Sequence, residues 1–231
     1  MKTRIALVGD QLVNHPSHRE LNAVCAQLSG DVEAVWVPTD GPMMADLGSF
    51  HGIWLVPGAP YASDVAVYRA ITWARERDLP FLGTCGGMQY AVVELFRGLL
   101  GLKDASHAES NGAGESNVVT ALACSLQGET REVRPISGTR FARLVHDQAF
   151  PGMHYCGFAA DAEKLGQLFA VGVEIQATAE DAGAEVLELR SRKFFMASMF
   201  QPQVGALAGK PAHPLIEEFV RCAAEQRGRA R

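Results

Sequence analysis

The run Gly83-Thr84-Cys85-Gly86-Gly87-Met88-Gln89 constrains this chain more than any other stretch, because of what flanks it. Leu79-Pro80-Phe81-Leu82 before it has the length and apolar character of a buried strand, and Tyr90 to Phe96 after it is apolar and suited to a helix. A cysteine on a tight strand-to-helix turn, with glycine two positions away on each side, reads as a nucleophile elbow. Small neighbours let the backbone pass closely, and the sulfur then points into a cleft at a helix start. The helix N-terminus favours the thiolate, the reactive form of the side chain. The competing reading is a buried structural cysteine beside a glycine-rich turn, since isolated glycine motifs also arise by chance.

Around the elbow, strand and helix signals alternate. Arg4 to Val8, Val32 to Val37 and Gly52 to Val56 read as strands. Ser17 to Leu28 reads as a helix capped by Ser17 with Glu20 three residues on, and Ser63 caps a second helix running to about Arg77. Such alternation predicts a mostly parallel sheet covered on both faces, with ligands bound beyond the carboxyl ends of the strands, where Asp10, Gly58 and Cys85 fall. The second half has a different rhythm: a possible hairpin of Val118 to Leu126 with Glu129 to Pro135, a short helix over Asp161 to Leu168, strands at Ala184 to Leu189 and Phe194 to Phe200, and a closing helix from Pro214 to Gln226. The expected fold class is α/β, a flavodoxin-like central mostly parallel sheet flanked by helices, with an antiparallel addition. With no repeat and no linker, residues 1–231 read as a single domain.

A net charge of −5 over 231 residues argues against a nucleic-acid surface, and the Arg-rich end (Arg221, Arg227, Arg229, Arg231) reads as a solvated tail. Met1 to Gly9 reads as a first strand rather than a signal peptide, and no apolar segment is long enough to cross a membrane. Five scattered cysteines (Cys25, Cys85, Cys124, Cys156, Cys222) without a CxxC pair point to reduced thiols and a cytoplasmic location, with no metal and no cofactor expected.

The elbow, the strand ending Val56-Pro57-Gly58, and His213-Pro214-Leu215 before a helix together resemble the class I glutamine amidotransferases, and most of all the glutaminase domain of CTP synthase. Leu100-Gly101-Leu102-Lys103-Asp104-Ala105 and Ala184-Glu185-Val186-Leu187-Glu188-Leu189 follow the same pattern, so the resemblance spans essentially the whole chain. It implies that Cys85 attacks a side-chain amide and forms a thioester. It also implies that the N–H of Gly86 and one from the Gly58-Ala59 turn hold the oxyanion, and that Gln89 and Glu109 hold the substrate, Glu109 at its ammonium group. His107-Ala108-Glu109, Cys124-Ser125-Leu126 and Tyr155-Cys156 further resemble a branch related to the C-terminal region of CTP synthase.

Three matches fail at the chemistry. The family's catalytic His and Glu lie in a Phe-His-Pro-Glu segment; here the segment is Phe200-Gln201-Pro202-Gln203. A carboxamide cannot accept a proton near neutral pH, so Gln201 cannot be the general base and Gln203 cannot stabilise an imidazolium. The family's carboxylate-clamping Arg before a Tyr is replaced by His154 before Tyr155. His107, two residues from Glu109, is the leading replacement base, and His154 the second. His213 reads as a cap, and His15, His18 and His51 carry no such placement, although Asp10 and His18 could meet at the first strand end. Cys156 is either a core cysteine or a second, resolving thiol in the substrate-binding segment. Two functions stay open. One is a cysteine-nucleophile enzyme acting on a small amide, ester or amino-acid derivative; the other is a catalytically silent small-molecule-binding or regulatory protein on the same fold. A homo-oligomer or an ammonia-accepting partner is compatible with either.

Overall fold

The structure is a computed structural model describing residues 2–28 and 30–229. Met1 of the expected first strand and Arg231 of the Arg-rich end lie outside the described residues.

In the first half the chain forms β1 (Thr3–Val8), α1 (Pro16–Gln27), β2 (Val32–Val37), β3 (Gly52–Leu55), α2 (Asp64–Glu76), β4 (Phe81–Thr84) and α3 (Gly86–Leu99). The middle holds β5 (Ser106–His107), α4 (Ala108–Asn111), β6 (Asn117–Ala121), β7 (Glu129–Pro135), α5 (Arg140–Leu144), β8 (Phe150–His154), β9 (Phe158–Ala160) and α6 (Ala162–Leu165). The last stretch is β10 (Val173–Ala179), β11 (Gly183–Leu189), β12 (Phe195–Ser198) and α7 (Pro214–Arg229). One nine-stranded sheet runs in the order β2-β1-β3-β4-β12-β11-β10-β7-β8, and β5-β6-β9 form a separate small sheet. From β2 to β12 all pairings are parallel, in the order of a flavodoxin-like fold; from β12 to β8 they are antiparallel. The antiparallel part is thus nearly half of the main sheet.

Side-chain alternation along the central strands separates two cores. Ile53 and Leu55 join Phe81, Val92 and Phe96 on the face covered by α2 and α3. Trp54 and Val56 join Leu7, Leu82 and Phe219 on the face covered by α1 and α7. Buried on both faces, these strands read as near-continuous apolar runs.

Two local expectations change. The Ser17 cap and Glu20 capping box do not form: the helix starts at Pro16 with His15 as its N-cap, and the Glu20 carboxylate accepts from the Gly205 and Leu207 N–H groups. With His15 as N-cap, Glu20 lies beyond the capping-box position and the His15 N–H already donates to Leu12 O, which frees Glu20 for a distant loop. β6 and β7 are not a hairpin, because β6 pairs with β5 and β9 while β7 pairs with β8 and β10. The Ser63 cap does form, its hydroxyl accepting from Ala66 N.

α2 and α3 are clamped by a buried pair. Arg75 Nη2 lies 2.7 Å from Glu94 Oε1, both side chains under a tenth exposed, and Thr72 Oγ1 donates to the same oxygen. Glu94→Ala should strand the Arg75 charge and cost about 3–5 kcal/mol of stability, read as a lower urea midpoint at unchanged slope.

Candidate active site

Cys85 is the N-cap of α3, with φ 55° and ψ −114°, a conformation costing an L-residue about 1–3 kcal/mol. The turn closes because two neighbours lack a Cβ. One on Gly87 would stand 2.3 Å from the Leu55 carbonyl oxygen, and one on Gly86 would stand 2.7 Å from Ala59 Cβ. Cys85 N donates to Ser198 O, fastening the elbow to the end of β12.

The facing turn, Pro57-Gly58-Ala59, is held from behind. His18 is fully buried; its Nδ1 accepts from Leu12 N at 2.9 Å, so Nε2–H donates to Pro57 O at 2.7 Å. Asp10 does not meet His18. Its carboxylate accepts from Thr39 N and Ala62 N instead, tying three strand ends together.

The sulfur of Cys85 has three donors around it. The Cys156 side chain lowers the Cys85 pKa most; the Gln201 carboxamide and the Gly86 N–H lower it too, and together they outweigh burial. Cys156 is pushed up by the same interaction and by burial, so it stays a thiol. Gln203 Nε2 donates to Gln201 Oε1 at 2.9 Å, leaving the Gln201 amide N–H for the sulfur. A line Gln203–Gln201–Cys85 therefore ends at the Cys85 sulfur, with the carboxamide N–H groups directed along it.

The histidines are distributed unevenly about this site. His154 turns inward: Nε2 is 2.8 Å from Glu185 Oε1, both side chains fully buried, and the other Glu185 oxygen accepts from Phe200 N. It does not line the cleft. His107 lies behind Gln89, its Nδ1 accepting from Glu109 N and its Nε2–H donating to Gln89 Oε1 at 3.0 Å; burial lowers its pKa to about 4. Both ring nitrogens are occupied, so His107 meets the cleft through the Gln89 carboxamide, whose own N–H₂ donates to Phe158 O. His213 is half-buried against Phe141, Phe150 and Phe200, its pKa lowered by burial to about 4, and its Nδ1 accepts from Leu215 N.

Cys85, Gly58, Ala59, Gly86, Gln89 and Glu109 meet around one cleft of about 200 Å³, together with Tyr155, Cys156 and Gln201. This is smaller than the roughly 300–1,000 Å³ of drug-sized sites and suits a molecule the size of an amino acid. Burial first, then the nearby Asp64 carboxylate, raises the Glu109 pKa, so two carboxyl groups stand at this end of the cleft. No Lys or Arg lines the cleft among the described residues. None of these residues forms a group of three or more His, Cys, Asp or Glu placed to hold a metal, and no described helix is long and apolar enough to cross a membrane.

The glutamine amidotransferase class-I family profile matches residues 17–205. The chain belongs to this family. It is 32% identical to a CTP synthase of Carboxydothermus hydrogenoformans over 78% of this chain and 35% of that one. It is 31% identical to a CTP synthase of Herpetosiphon aurantiacus over 84% of this chain and 39% of that one. The chain thus spans a little over a third of the length of these relatives. Among solved structures, the glutaminase domain of Trypanosoma brucei CTP synthase, with acivicin bound, superposes with a TM-score of 0.82 at 22% identity, covering 97% of this chain and 94% of that one.

In this family member, sequence reasoning passed over three residues that the tertiary structure brings to the site. His15 lines the cleft beside Pro57 and Gly58, and burial, with His18 adding, lowers its pKa. Its position as N-cap before Pro16 was the available signal. Gln127 lines the cleft and donates to Tyr155 O at 3.0 Å, and Glu185 pairs with His154. Both come from strands and loops far from the elbow in sequence.

A lowered thiol pKa means reactivity that persists as pH drops below the usual thiol range and is lost only on passing the depressed value. Burial pushes Cys25 up to about 12 and also raises Cys222. Brief iodoacetamide treatment near pH 6 should therefore label Cys85 ahead of the other four thiols, exposed Cys124 included, as read by peptide mass mapping. First labelling at Cys25 or Cys222 would remove the support for Cys85 as nucleophile.

Proposed function

We propose that this protein uses Cys85 as a covalent nucleophile on a small amine-bearing amide or ester of an amino acid whose carboxylate is masked, and that free glutamine is a poor substrate. The observation that carries this reading is the line Gln203–Gln201–Cys85, which supports a thiolate with donors and contains nothing that accepts a proton.

The chemistry follows from that line. Cys85 Sγ bonds to the substrate carbonyl carbon while the Gly86 N–H and the Gly58-Ala59 turn hold the oxygen as it takes up charge. Expulsion of an amine needs a proton delivered to nitrogen; expulsion of an activated alcohol does not. Carboxamides at positions 201 and 203 deliver none, so esters acylate Cys85 faster than amides, and the thioester then waits for water. His15 is the imidazole that lines the cleft, and its lowered pKa keeps it neutral, the form that accepts a proton from that water. His107 holds Gln89 in place and acts through it.

Substrate class follows from charge. Glu109 with Asp64 nearby favours an ammonium group. The place of a carboxylate-clamping Arg is taken by His154, which Glu185 holds in the interior, and no Lys or Arg lines the cleft among the described residues. A free carboxylate would lose its water without gaining a partner. The Gln201–Gln203 pair equally favours a silent binding protein, and acylation separates the two: a silent site forms no thioester.

Glutamine hydrolysis should be slower by about 10² to 10⁴ than in a relative with an intact His and Glu, and an amino-acid ester should leave a persistent mass increment on Cys85 under native conditions. The paired substitution Gln201→His with Gln203→Glu should raise ammonia release from glutamine amide by about 10². Ordinary turnover of free glutamine by the unaltered protein, abolished by Cys85→Ser, would overturn the proposal.

A further inference from the structure

Cys156 forms no bond to substrate in the acylation just described, yet it lines the same cleft as the nucleophile. Its side chain interacts with the Cys85 thiol and lowers the pKa of that thiol. The Tyr155 carbonyl, one residue before Cys156, lies 3.9 Å from Cys85 Sγ, an independent measure of how closely this segment crosses the elbow. Cys156 lies in the short connection between β8 and β9, outside either strand, where a small backbone adjustment does not break sheet hydrogen bonds. The two thiols are free in the structure.

We infer that Cys85 and Cys156 form a redox-active dithiol that a small hydroperoxide converts to a disulfide, closing the site to substrate. The step rests on the reading of Cys85 as an accessible thiolate. Cys85 Sγ attacks the distal peroxide oxygen, the O–O bond breaks, and the departing alkoxide or hydroxide takes a proton, leaving Cys85 as a sulfenic acid. The Cys156 sulfur then forms the S–S bond, the S–O bond breaks, and the hydroxide leaves as water with the Cys156 proton. The two sulfurs lose two electrons in total and the peroxide gains them. A dithiol reductant supplied from outside reverses the linkage. Neither half-step needs the base or the amine protonation that Gln201 and Gln203 cannot provide. Among the remaining cysteines, no thiol has such a partner: Cys222 meets Arg140, Arg221 and Glu218.

The test treats the full chain with a few equivalents of hydrogen peroxide near pH 7, blocks remaining thiols with N-ethylmaleimide, and maps peptides without reduction. The expected result is a Cys85–Cys156 linked peptide, a fall in Cys85 alkylation of about tenfold or more, and recovery with dithiothreitol. Cys156→Ala, checked for folding by circular dichroism, removes a group that lowers the Cys85 pKa and should therefore slow Cys85 alkylation, while peroxide still accumulates a sulfenic acid trapped by dimedone. If Cys85 alkylates fast but peroxide takes it to sulfinic acid without a link to Cys156, the dithiol inference fails and the nucleophile reading stands. If Cys85 neither alkylates nor oxidises faster than Cys25, both fail. Should the alanine variant not fold, the linked peptide in the unaltered protein decides alone.

Discussion

The close passage of Gly87 against the Leu55 carbonyl is the contact on which the site depends. Any side chain at position 87 would push α3 away from β3, and the Cys85 turn would open. With α3 seated, Cys85 can be kept at a positive φ, its N–H bonded to Ser198 O and its sulfur over the carboxyl ends of β3, β4 and β12. The Arg75–Glu94 pair locks α3 to α2 from the far side, and His18 and Asp10 brace the turn that faces the sulfur. The strain of about 1–3 kcal/mol at such a residue persists because rigid partners surround it on every side.

Around this preorganised sulfur the groups that lower its pKa are donors, with the Tyr155 carbonyl 3.9 Å away as an acceptor. Cys156, Gln201 and Gly86 all donate to Cys85, and Gln203 donates to Gln201. Such a shell stabilises an anion well and moves protons poorly. Histidines are abundant nearby, yet His154 is committed to Glu185 and His107 to Gln89 and the Glu109 N–H. On the function proposed above, such a site would suit thiolate chemistry with good leaving groups, or with peroxides, in which no proton has to be delivered to an amine.

Much of the architecture was legible because its signals are local. The apolar runs before and after the elbow, the Ser63 cap and the Pro214 start each act within a few residues. Glu20 misled because its position beside Ser17 imitates a capping box, while its actual partners, the Gly205 and Leu207 N–H groups, lie some 185 residues away. The β6–β7 hairpin failed for the same reason: adjacency suggested pairing, but β6 found β9 and β7 found β8 and β10.

The sequence by itself determined that a cysteine would stand at a strand-to-helix turn in an α/β fold, and that carboxamides would occupy positions 201 and 203. Those outcomes follow from side-chain chemistry and short-range sterics, which no distant contact alters. Only the tertiary structure decided which groups reach the sulfur. It placed Cys156 against Cys85, turned His154 inward to Glu185, put His107 behind Gln89 and brought His15 to the cleft wall. Hydrogen bonds act over about 3 Å, so a side chain's role is set by where strands from opposite ends of the chain finish, and spacing along the chain carries no record of that.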